Sequence, residues 1–236
     1  MPKVKINRFL QDPGFCAVAT CATLANFYDS SINYNYVKEL LKIDSIESFD
    51  GLDSGEIGIL LNKLGFKKVT IVTSDFKVVD YSWENYGRKR LVECLLRMRD
   101  RKTPDGYVDC KDFYKWLKDF NYDNNLIIDY NFSYYIKKFL DKKIPIALSF
   151  NWTMFFKYTK EKDYGALDSY RGSYSHHIVV AYGYDNRGVY ICDSHHKLYK
   201  YKRKKYRNGF YKISWENLMT IMGQGDLFLA ENYTRE

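Results

Sequence analysis

No run of 18 or more uncharged apolar residues occurs in the 236-residue chain, which argues against a membrane-spanning helix. The opening stretch, MPKVKINRFLQDP, also lacks an apolar segment of signal-peptide length, so the expected location is intracellular and cytoplasmic. The five cysteines are an odd number with no paired spacing, and no CxxC occurs. Neither a disulfide framework nor a zinc site is therefore expected. Asn131, Asn151 and Asn232 sit in glycosylation sequons, but without a secretory signal these are chance matches. There is no internal repeat and no linker-like stretch, so residues 1–236 are read as a single domain.

Hydrophobic residues make up 46% of the chain, enough for a globular fold with one large core. The net charge of +8 admits a nucleic acid, a membrane surface or an acidic substrate as partner, and equally a solvated lysine-rich surface.

Helical spacing marks Cys16 to about Tyr28, where Val18, Ala22, Ala25 and Tyr28 share a face, and again Tyr34 to Lys42. Asp53 and Glu56 form a capping pair for a third helix that Gly65 stops. VTIV at 69–72 reads as a strand. From about 75 to 125 the charge density rises. RKRLVECLLRMRDRK and KDFYKWLKDF read as two helices separated by the turn Thr103-Pro-Asp-Gly106. This segment is expected to be a charged helical insertion, acting as a lid or partner-binding element or else packed at the edge of the core. The second half is strand-rich, at 144–150, 178–184 and 189–193, with Asp185–Gly188 as a hairpin turn. The fold class is therefore α+β, an N-terminal helical half packed on a C-terminal antiparallel sheet.

The chemistry concentrates in two places. Gln11-Asp-Pro-Gly-Phe-Cys16 puts a thiol at the start of an apolar helix, where unpaired backbone N–H groups and the helix dipole favour the thiolate. Far downstream, HHIVVAYGYDNRGVYICD sets a histidine at the start of one strand and an acid at the end of the next. A cysteine, a histidine and a carboxylate distant in sequence are what nucleophilic thiol catalysis requires. Period-2 alternation puts His176 and His177 on opposite faces, and His177 directly precedes the apolar run. Cys21, Cys94, Cys110 and Cys192 lack the context of Cys16 and read as structural thiols. His195 and His196 with Asp193 do not make a metal site, because adjacent histidines rarely share one ion and no fourth ligand has suitable spacing.

These segments resemble the papain-like bacteriocin-processing peptidases, the double-glycine leader peptidases and their stand-alone relatives. EIGILLNKLGF, DKKIPIALSF and a closing helix from Ser214-Trp-Glu-Asn-Leu extend the resemblance in order, over most of the chain outside about 75–125. Ala17-Val18 stand where that family usually has Gly-Pro. The resemblance implies a papain-like fold, Cys16 as nucleophile, His177 as general base, Asp193 as its orienting group and Gln11 as an oxyanion-hole donor. It implies a cysteine peptidase acting on a peptide or protein substrate through an acyl-enzyme, with no cofactor and no metal. The same residues would also serve an acyl or amide transferase, or a relative that binds peptides without cleaving them. The tract KLYKYKRKKYR at 197–207 interleaves basic residues with tyrosine. Weak, non-specific anion or nucleic-acid contact is expected there, and a nucleic-acid-binding protein built around it is a further alternative.

Overall fold

The structure is a computed structural model that describes residues 2–42, 49, 51–75, 77–99, 110–162, 166–195, 208–223 and 225–235. The N-terminal region holds α1 (Cys16–Tyr28), α2 (Tyr34–Leu41), α3 (Ser54–Lys63) and β1 (Phe66–Thr73). Next come α4 (Arg88–Met98), α5 (Cys110–Lys118), β2 (Asn125–Ile128), α6 (Phe132–Asp141), β3 (Ile146–Asn151) and α7 (Trp152–Phe156). A small ribbon, β4 (Glu161–Lys162) with β5 (Ala166–Leu167), precedes β6 (His176–Asp185) and β7 (Gly188–Cys192). The chain closes with β8 (Phe210–Ser214), α8 (Trp215–Ile221) and β9 (Asp226–Tyr233).

Each helix near the site has a local cause. Helix α1 is apolar nearly all round, and Ala17 to Asn26 are all buried, as a central helix requires. Helix α3 begins with a complete capping box. The Asp53 carboxylate accepts from Glu56 N at 2.7 Å, and Glu56 accepts from Asp53 N at 3.0 Å. It ends before Gly65, whose φ of +105° suits glycine and whose missing Cβ makes room for the carbonyl of Thr234. Ser214 caps α8 by accepting from Asn217 N at 3.3 Å.

Among the described residues seven strands form one sheet in the order β2-β1-β9-β3-β6-β7-β8. The pairings are antiparallel except β1 with β2, which is parallel. Alternation along β6 sends Ile178 and Val180 into the core beneath α1, α3, α4 and α5. Val179 and Ala181 enter the core on the other face, shared with α6 and α8. Helix α1 lies on β6, where the Thr20 hydroxyl donates to the carbonyl of Ile178 at 3.1 Å. This is the plan expected of a papain-like α+β fold, with the cysteine helix packed against the strand that bears the histidine.

One expectation needs correcting. The sheet is neither purely antiparallel nor confined to the C-terminal half, because β1 is built into it and pairs in parallel with β2. A parallel pair needs a crossover, and residues 74–124 supply it. That crossover contains most of the segment expected as an insertion. Within it Leu91, Leu95, Phe113, Trp116 and Leu117 are buried in the same cluster as α1 and α3. Trp116 lies directly on Gly58, where an added Cβ would stand 2.7 Å from the indole ring. Its charges lie on the outer helix faces, which is why composition alone makes it look peripheral. Residues 103–106 and the tract 197–207 lie outside the described residues.

Candidate active site

Cys16 is the first residue of α1. Its N-cap, Phe15, has no side chain able to bond the helix start, so the first-turn N–H groups are not spent on a cap. The loop before it is tied down by α2. The Asp12 carboxylate accepts from Lys38 Nζ at 2.6 Å and from the Tyr34 hydroxyl at 3.0 Å, while Asp12 N donates to that hydroxyl at 2.9 Å. The half-buried thiol at the end of this loop interacts electrostatically with the imidazole of His177.

His177 lies opposite Phe150 across the β3–β6 pairing, and its side chain is only 6% exposed. Its ring is enclosed by Phe150, Trp152 and His195, with centroids 6.2, 5.9 and 5.9 Å away. His177 Nε2 lies 2.8 Å from Asp193 Oδ1. Nδ1 is therefore the nitrogen left for the thiol. Asp193 is completely buried, and its carboxylate accepts three bonds. Besides His177, Oδ1 takes the N–H of His195 at 2.8 Å, and Oδ2 takes the Tyr211 hydroxyl at 2.7 Å.

The loop that carries Asp193 is held from both sides. Arg8 Nε donates to the carbonyl of Asp193 at 2.5 Å and Arg8 Nη2 to that of His195 at 3.0 Å. Asp193 N donates to the carbonyl of Gly209 at 2.8 Å. Gly209 has φ +68°, and a side chain there would run into the Arg8 guanidinium, so the clamp requires glycine at this point. Gln11 joins the same loop. Its N–H donates to the carbonyl of Ser194 at 3.1 Å, and its Oε1 accepts from the Ser194 hydroxyl at 2.6 Å.

Burial opposes every charge at this site, yet the pairings outweigh it. Desolvation pushes the Cys16 thiol up, but the hydrogen bond and positive charge of His177, with the backbone N–H groups of Ile178 and Ala17, bring it below the ordinary thiol range. Burial pushes His177 down, but the charge of Asp193, its hydrogen bond and the Cys16 contact raise it to about 10. Asp193 is likewise held below the ordinary carboxylate range, burial being overcome chiefly by the charge and bond of His177. Both shifts favour the thiolate and imidazolium forms. The other thiols near this core behave oppositely: burial pushes Cys21 up strongly and Cys192 to about 12.

The structure thus pairs His177 with Asp193, places the Cys16 thiol within the electrostatic reach of His177 and sets Gln11 against the Asp193 loop. His176 is exposed and lies opposite Asn151, away from that line. Arg8, Tyr211, Ser194 and Trp152 were not foreseen as parts of the site. Tyr211 and Trp152 carried no signal beyond aromatic strand residues. For Ser194 and Arg8, the one available hint was proximity in sequence to Asp193 and to Gln11. Among the described residues no group of three or more His, Cys, Asp or Glu side chains is arranged to hold a metal ion. No described helix is long and apolar enough to cross a membrane.

The Peptidase_C39 like family matches this chain over residues 98–221, a range that contains His177 and Asp193 and begins after Cys16. Among solved structures, the chain is similar to a Bacillus anthracis protein described as a C39-like peptidase. The two share 13% identity, with 98% of this chain and 100% of the other covered and a TM-score of 0.42. A search of curated proteins finds no match.

Proposed function

Since the chain belongs to the C39-like peptidase family, we propose that it is a cysteine peptidase that cleaves an amide bond of a peptide or protein through Cys16, His177 and Asp193. The observation that carries this reading is the buried pair of His177 with a fully enclosed Asp193, with the helix-borne Cys16 thiol in its electrostatic reach. The Cys16 thiolate attacks the carbonyl carbon. The oxyanion that forms meets the Cys16 backbone N–H and the side-chain N–H2 of Gln11. The His177 imidazolium gives its Nδ1 proton to the leaving amine, so the C–N bond breaks and an acyl-enzyme remains. His177, now neutral, takes a proton from water as it attacks the thioester, and the carboxylic product leaves with the thiolate restored. Asp193 keeps Nε2 paired throughout and stabilises the charged ring.

Iodoacetamide labelling mapped by mass spectrometry tests the ion pair. An ordinary thiol near pKa 8.5 is about 0.3% thiolate at pH 6, and lower intrinsic nucleophilicity offsets only part of the gain from full ionisation. Cys16 should therefore label at least roughly ten-fold faster than Cys21 or Cys192 at pH 6, and His177→Ala should remove that advantage. Labelling of Cys16 at the rate of the buried thiols would refute the assignment.

A further inference from the structure

Resting on that assignment of Cys16 and His177, we propose that Ser194 is a positioning residue. Its buried hydroxyl holds the Gln11 amide in the one orientation that turns the N–H2 group, not the carbonyl oxygen, toward the reacting centre.

A glutamine amide turned by 180° keeps its shape but exchanges an acceptor for two donors, so hydrogen bonding alone decides which way it lies. At Gln11 the decision falls to Ser194, whose Oγ is 2.6 Å from Oε1. Both side chains are buried, at 8% and 4% exposure. Among the described residues the Gln11 oxygen is the one acceptor recorded for that hydroxyl proton. With the amide reversed, Nε2 would donate into the hydroxyl oxygen. The serine proton would then lose its acceptor in a buried place, which disfavours the reversed form.

The hydroxyl is itself fixed. Ser194 follows Asp193 in the loop clamped by Arg8 and Gly209, and its carbonyl accepts the Gln11 N–H at 3.1 Å. One short loop therefore carries both the carboxylate that orients the base and the hydroxyl that orients the oxyanion donor. The two halves of the catalytic apparatus, from opposite ends of the chain, are held in step by this contact.

A double-mutant cycle tests it, with the best substrate from a fluorogenic peptide library and the corresponding peptide aldehyde as a transition-state mimic. Removing an oxyanion donor outright costs about 10²–10³ in kcat. Losing only its orientation is expected to cost roughly ten-fold in kcat with KM little changed. Ser194→Ala should weaken aldehyde binding by a similar factor, while Cys16 labelling by iodoacetamide at pH 6 keeps its wild-type rate. Ser194→Thr, which retains a donor, should recover most of the loss. In a Gln11→Ala background the Ser194→Ala change should cost nothing further. The proposal is overturned if Ser194→Ala leaves kcat intact, if its cost multiplies with that of Gln11→Ala, or if labelling slows as much as hydrolysis. Slow Cys16 labelling in the wild type, or no peptide turned over, would instead remove the peptidase reading itself and this proposal with it.

Discussion

Replacing Tyr211 by phenylalanine isolates one hydrogen bond to a buried charge. The ring stacks on Phe155 at a centroid distance of 5.9 Å and 17°, so the apolar packing survives the change. What disappears is the hydroxyl 2.7 Å from Asp193 Oδ2, an oxygen with no other partner among the described residues. Asp193 is completely buried, so solvent does not replace the bond. Hydrogen bonds to charged groups are worth about 1.5–3 kcal/mol. For a chain of this length each kcal/mol moves the melting temperature by roughly 2–4 °C, so a loss of about 2 kcal/mol corresponds to about 4–8 °C at pH 7. The pH dependence identifies the cause. Asp193 has a depressed pKa in the folded protein, so its contribution is present above the unfolded carboxylate value, about 3.9, and is lost as the pH falls. In Tyr211→Phe the carboxyl rises toward its ordinary range. The stability gap between the two proteins should therefore be full at pH 7 and should narrow as the medium becomes acid enough to protonate Asp193. Urea unfolding at pH 7, 5 and 3.5 measures it. A gap below about 0.5 kcal/mol at pH 7 would refute the assignment of a charged Asp193 held by Tyr211.

The pH–rate profile of kcat/KM should be broad. Its acid limb reports the lowered Cys16 thiol and its alkaline limb the raised His177, near about 10. An alkaline limb near 6.5 would mean that His177 is not paired with the thiolate. Gly58→Ala sets two effects against each other. Helix propensity favours alanine by about 1 kcal/mol, but the new methyl would lie 2.7 Å from the buried Trp116 ring, and overpacking of this kind costs about 1–3 kcal/mol. The clash should win, lowering the urea midpoint, and a rise in midpoint would show that the α3–α5 contact has slack.

Local rules made several features legible. The Asp53–Glu56 box, the stop at Gly65, the 185–188 turn and the Ser214 helix start are decided by neighbouring residues, and the structure has all four. Alternation along the β6 strand separates His176 from His177 for the same reason. The hairpin then returns Asp193 to the His177 face because both strands keep period two, apart from one irregularity between Ala181 and Gly183. What was not legible depends on distant segments. The parallel β1–β2 pairing joins residues 70–73 to 125–128 through a charged crossover, and no local pattern announces it. The strand at Asp226–Tyr233 is a short apolar run whose period does not separate strand from helix. The Arg8 clamp and the Ser194–Gln11 bond each join positions more than 180 residues apart, so they appear once the register is known.

Strand β9 has a further consequence for the order in which this molecule comes into being. Among the described residues it alone joins the β1–β2 pair to the β3–β6–β7–β8 block, lying against β1 from Phe66 to Thr73 and against β3 at Ala147 and Leu148. A nascent chain that has not yet delivered residues 226–233 can hold two half-sheets, but nothing in the sheet itself fixes one against the other. Of the strands in this sheet, the joining one is therefore the last to be made. Until that strand leaves the ribosome the open flanks of β1 and β3 are unpaired edges, exposed to pairing with other chains.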